Sequence, residues 1–148
     1  MKKLAILILL LVSASLFAAN IKVATFNMDR LGEGQKNYSM LSKIIQNFDL
    51  VGCIEIMTPG SMASIAKLLP SNWKYFISEE PVGSINNKEY CGYFWNNDKI
   101  QIIRPLGYYD NSYDEFIRPP YAAVFQSGKF DFTLVLDQIV FSTNDSKL

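Results

Sequence analysis

Two oxygen-bearing side chains close apolar runs: Asn27 ends IKVATFN, and Glu55 ends LVGCIE. Polar groups at strand ends can converge on one edge of a sheet. A carboxylate beside an amide oxygen is a hard-oxygen environment suited to Mg²⁺ or Ca²⁺. Glu55 also reads as an ordinary strand-end charge, since isolated glutamates are common on surfaces. Histidine is absent from the 148 residues. That excludes His-based triads, His-ligated zinc and histidine general bases within them. Lys and Arg total 14, and so do Asp and Glu. Such a balance does not suggest general attraction to nucleic acid, so phosphate chemistry needs a local site and a cation.

The elements that must position these groups follow from periodicity. Residues 21–27 and 50–55 read as buried strands, rich in β-branched and aromatic residues. The spacing of Leu41, Ile44, Ile45 and Phe48 predicts an amphipathic helix over 37–48. Thr58 as N-cap and Pro59 in the first turn announce a second helix. Its stripe is Met62, Ile65, Ala66 and Leu69, and Pro70 stops it. Strands are predicted over 73–78, 89–95, 100–103, 121–125 and 130–140, with turns at 96–98 and 127–129 joining adjacent strands. This order predicts an α/β layered domain with a mixed sheet.

Apolar residues make up 49% of the chain, enough for a packed core. Lys2 and Lys3, the apolar run of residues 4–12 and the small residues of 13–19 have the layout of a secretory signal peptide. Cleavage after Ala18 would leave a secreted or periplasmic chain of net charge −2, since both leader charges are lysines. An uncleaved anchor is the competing reading, but the run is short for a spanning helix.

Four segments line up in order and spacing with a known pattern: ATFN at 24–27, DLVGCIE at 49–55, SEEPVG at 78–83 with KEY at 88–90, and FIRPP at 116–120 with FTLVLDQ at 132–138. In these the chain resembles the endonuclease/exonuclease/phosphatase superfamily, deoxyribonuclease I-like branch. The resemblance implies half of an α-β-β-α sandwich, a mixed sheet with flanking helices, occupying 19–148 without a C-terminal half. It implies Mg²⁺, or Ca²⁺, held by Glu55, with Asn27 orienting metal and phosphate. Arg118 stands where the family grips phosphate, a task suited to a guanidinium. It could instead pair with Asp114 or Glu115. Glu89 matches the glutamate that holds a catalytic histidine, and that histidine's place is taken by Gln138, which cannot accept a proton at neutral pH.

The implied function is a secreted Mg²⁺-dependent phosphodiesterase of nuclease ancestry, acting on DNA, truncated and inactive as this chain. Alternatives are an enzyme completed elsewhere, a non-catalytic secreted binding module, and a phospholipid-headgroup phosphodiesterase fragment. Three structural expectations go with it. If the strands carrying Glu55 and Glu89 pair antiparallel with those residues opposite, Cys53 and Cys91 face each other, as thiols or as a disulfide. The chain supplies one sheet and its helices. The inner face of that sheet, with Phe130, Phe132, Leu134 and Leu136, is left open, so self-association or a covering partner is expected.

Overall fold

The structure is a computed structural model that describes residues 20–139. The leader, and Val140 at the end of the last predicted strand, lie outside that range. The elements are β1 (Val23–Leu31), α1 (Tyr38–Ile45), β2 (Leu50–Ile56), α2 (Pro59–Ala66), β3 (Trp73–Ile77), β4 (Val82–Ser84), β5 (Asn87–Asn96), β6 (Gln101–Tyr108), β7 (Tyr121–Ser127) and β8 (Phe130–Leu136). No helix among the described residues is long and apolar enough to cross a membrane.

Both helices form where the apolar spacing placed them. Asn37 caps α1, its Oδ1 accepting from the Met40 amide at 2.9 Å. After Ile45 the hydrogen bonds tighten to i→i−3 at Asn47 and Phe48, so the helix is shorter than its apolar stripe. Pro59 opens α2, but Thr58 turns its hydroxyl to Ser61 Oγ at 2.7 Å rather than to a backbone amide.

Two sheets are present where one mixed sheet was expected. The first runs β1-β2-β5-β3, with β4 added to the lower part of β5; the second runs β6-β7-β8. β1 and β2 are parallel, which requires a crossover, and α1 provides it. The other pairs are antiparallel. The 127–129 turn closes the β7–β8 hairpin. The 96–98 turn is instead a corner between sheets, because β5 belongs to the first and β6 to the second. Asn72 Nδ2 ties that corner by donating to Asn96 Oδ1 and Asp98 Oδ2.

The first sheet is buried on both faces. Toward the helices, Val51, Cys53, Ile56 and Phe94 pack with Ile45, Met62 and Ile65. Toward the second sheet, Leu50, Tyr93 and Trp95 pack with Tyr121, Phe125 and Leu136. The expectation that this chain contributes a single sheet with an open inner face is therefore corrected. Phe132, Leu134 and Leu136 lie over the first sheet, and only Phe130, 61% exposed, projects beyond it. The close approach depends on Gly52, since a Cβ there would lie 2.4 Å from Leu136 Cδ2.

The cysteine pairing is also corrected. β2 and β5 are antiparallel, but Cys53 is opposite Gly92, one residue out of the expected register. Side chains alternate along a strand, so the slip sends Cys53 to the helix-side core and Cys91 to the inter-sheet core. Both are free thiols, and burial pushes each up, Cys91 to about 12.

Candidate functional site

Asn27, midway along β1, lies opposite Ile54 near the end of β2; the two strands then leave regular register and pair again only at Leu31 and Ile56. The irregularity lies in the backbone. Asp29, Arg30 and Glu55 have φ of 49°, 58° and 59°. Non-glycine residues in this left-handed region cost about 1–3 kcal/mol each and cluster at functional sites. Here the bulge turns Glu55 out of the sheet and gathers three donors on its carboxylate. Asn27 Nδ2 lies 2.8 Å and Gln138 Nε2 2.6 Å from Oε1, and the Arg30 amide lies 3.2 Å from Oε2. The Asn27 oxygen accepts from the Asp29 amide at 2.8 Å. Gln138 reaches the site because Leu136, seated over Gly52, fixes where β8 ends.

Glu89 lies on β5 and is only 4% exposed. Its carboxylate meets Arg118 Nε at 3.0 Å, so the arginine has a carboxylate partner on β5, far in sequence from Asp114 and Glu115. Burial holds the Glu89 carboxyl above the usual range against the pull of Arg118, and the nearby Glu55 charge adds to the rise. The glutamate that would hold a histidine here holds a guanidinium. The family resemblance placed Glu55, Asn27, Glu89, Arg118 and Gln138 together, and the structure groups them as one triad on Glu55 and one ion pair on Glu89.

Arg30 was not singled out from the sequence. Its Nη1 donates to Asn87 Oδ1 at 2.7 Å, while Glu33 takes Nε and Nη2 at 2.7 and 3.0 Å. It thereby joins β1 to the start of β5 at the rim of the site. Its place three residues after Asn27 was the available signal. Beside Arg118 opens a cleft of about 480 Å³, lined by Val82, Gly83, Lys88, Phe116, Ile117 and Pro119.

Among the described residues no three His, Cys, Asp or Glu side chains gather as a metal cluster. A cation here would rest on one carboxylate and amide oxygens. The residues fit that role in one respect: Gln138, whose Nε2 faces Glu55, has its Oε1 buried without a hydrogen-bond partner. With the amide turned, that oxygen and the carboxylate would make a pair of hard donors.

No family profile matches the chain. A curated deoxyribonuclease of Thioalkalivibrio sp. (strain K90mix) is 27% identical over 127 residues, covering 82% of this chain and 34% of that protein. An endonuclease/exonuclease/phosphatase family protein of Bacteroides thetaiotaomicron superposes with a TM-score of 0.57 at 16% identity, over 78% of this chain and 47% of that one. A mannosyl-6-phosphatase of Bacteroides thetaiotaomicron VPI-5482 gives 0.58 at 16% identity, over 78% and 50%. The chain thus spans about a third of the curated relative and half of the solved structures. In fold this chain is like about half of these endonuclease/exonuclease/phosphatase structures, two packed sheets with flanking helices, and in sequence it resembles a deoxyribonuclease over most of its length.

Proposed function

We propose that this chain is part of an exported, Mg²⁺-dependent phosphodiesterase scaffold of nuclease ancestry, which by itself holds a cation and a phosphate without cleaving. The observation that carries the reading is the convergence of Glu55, Asn27 and Gln138 beside the Glu89–Arg118 pair at one sheet end. Glu55 would hold the cation. The cation supplies charge neutralisation on phosphate oxygens. Asn27 and the Arg30 amide fix the Glu55 carboxylate in place. Glu89 is the counter-ion of the Arg118 guanidinium at 3.0 Å, although the contact lacks hydrogen-bond geometry, and Arg118 would meet a phosphate. At the place of the family's histidine, Gln138 neither takes nor gives a proton at neutral pH. The described residues therefore bind and orient, and supply no histidine-type acid or base. The name of the curated relative points to DNA as the ancestral substrate.

The test combines binding and cleavage. The purified chain should bind a short DNA duplex more tightly with Mg²⁺ than without, and Glu55→Gln should remove that gain. Plasmid DNA should stay uncut above background. Robust Mg²⁺-dependent nicking by the unaltered chain, abolished by Glu55→Gln, would overturn the inactive reading. Binding indifferent to both Mg²⁺ and Glu55 would overturn the whole proposal.

A further inference from the structure

We infer that Gln138 is a two-position switch on the cation site, capping Glu55 through its amide N–H when no cation is bound and supplying its amide oxygen as a ligand when one is. The inference rests on the cation-holding role proposed for Glu55. In the observed position Nε2 donates to Glu55 Oε1 at 2.6 Å, a charge-assisted bond. The other end of the same amide, Oε1, is buried and unpartnered. An unsatisfied buried acceptor costs about 1–3 kcal/mol, so half of this amide is well placed and half is not.

Rotation about the last torsion of a glutamine exchanges oxygen and nitrogen within a broad, roughly two-fold well. With the amide turned, Oε1 stands where Nε2 now stands, against a carboxylate oxygen. Two such oxygens repel unless a cation lies between them. Adjacent oxygens around an octahedral Mg²⁺, each about 2.1 Å from the ion, are about 3 Å apart. The 2.6 Å now separating Nε2 from Glu55 Oε1 is a few tenths of an ångström short of that, a shift within reach of one side chain. Cation binding and amide rotation are then coupled: the cation favours the turned amide, and the turned oxygen favours the cation, while Nε2 moves to the buried place that Oε1 now holds. The main chain need not move, because Leu136 anchors the end of β8 over Gly52. An imidazole in the same place could supply a proton but no hard oxygen, whereas the amide supplies the oxygen and no proton.

A cap that only competes with the cation and a ligand that joins it predict opposite signs. Mn²⁺ binding to the purified chain is read by electron paramagnetic resonance, with Glu55→Gln and Gln138→Met beside the unaltered protein. The expected result is Mn²⁺ binding by the unaltered chain, loss in Glu55→Gln, and about tenfold weaker binding in Gln138→Met, as for other changes to a metal's immediate surroundings. Unchanged or tighter binding in Gln138→Met would overturn the switch and leave the Glu55 site standing. No Mn²⁺ binding by the unaltered chain would overturn both. If Gln138→Met loses the native circular dichroism, Gln138→Glu decides: a second carboxylate oxygen should tighten Mn²⁺ binding tenfold or more, and no gain would refute the ligand role. The Gln138 side-chain ¹⁵N resonance should also shift on Mg²⁺ addition, and a resonance that stays still counts against the switch.

Discussion

The two sheets differ in what covers them. The five-stranded sheet has helices on one face and the second sheet on the other. Among the described residues the three-stranded sheet is covered on its inner face alone. On and around its outer side Ile103 and Val135 stand 50% and 52% exposed. The candidate site belongs to the doubly covered sheet, where β1 and β2 break register, and the segment just past β8 of the singly covered sheet adds Gln138 to Asn27 and the Arg30 amide on Glu55. The contrast teaches that burial holds the frame while left-handed backbone gathers at the β1–β2 irregularity, with Asp114 in the β6–β7 loop as a further instance. It also relocates the uncovered surface: it is the back of the second sheet, where a covering partner or a second copy is proposed to sit.

The comparison breaks most severely if the inter-sheet core is opened. Phe125 is fully buried, with its ring 5.1 Å from Tyr93 and 6.0 Å from Phe132. Phe125→Ala is expected to lower stability by about 3–5 kcal/mol, seen as a shifted urea midpoint. If the sheets packed only loosely, the loss would be under about 1 kcal/mol.

A step smaller is the buried ion pair. Glu89→Ala leaves the Arg118 charge unpaired where its side chain is 12% exposed, and a loss of about 3 kcal/mol is expected. The double variant Glu89→Met, Arg118→Met should recover much of that, because what is costly is the uncompensated charge. A double variant no better than the single one would show that the pair is held by more than charge.

Smaller again is the tie between strands and corner at Asp49. Its carboxylate accepts from the Lys22 amide and from Lys99 Nζ, each at 2.8 Å. Burial raises its pKa, but these partners outweigh burial and hold the carboxyl below the ordinary carboxylate value. The sign follows. A depressed folded-state pKa means stability that is fully present above the unfolded value, near 4, and is lost as the pH falls below it. Asp49→Asn should cost about 1–2 kcal/mol at pH 7 and less at pH 3. A loss that is equal at both pH values would remove the charge from the explanation.

The smallest change in stability belongs to the uncovered back. Ile103→Lys with Val135→Lys should move the thermal midpoint by the equivalent of about 0.5 kcal/mol or less for each site. It should reduce self-association in size-exclusion chromatography. A large loss of stability instead would mean that this face is already packed within one chain.

Much of the frame was legible in the residues. The 3.6-residue stripes gave both helices, and the apolar runs gave β1, β2, β5, β7 and β8, because those patterns report which side of an element meets a core. Glu55 could be placed near a strand end for the same reason, whereas β1 runs past Asn27 to Leu31. β4 was missed because three residues carry too little periodicity, and β6 was read short because Pro105 interrupts it at an edge-strand irregularity.

What the residues alone determined was therefore local: element type, buried face, and the absence of any histidine. Only the tertiary structure decided the division into two sheets, the one-residue slip that parts Cys53 from Cys91, the pairing of Arg118 with Glu89, and the meeting of Gln138 with Glu55 across 83 residues. The physical reason is that strand register and long-range polar contacts are set by how cores fit together, as where Leu136 settles over Gly52. Side-chain alternation then magnifies a single residue of register into a change of face.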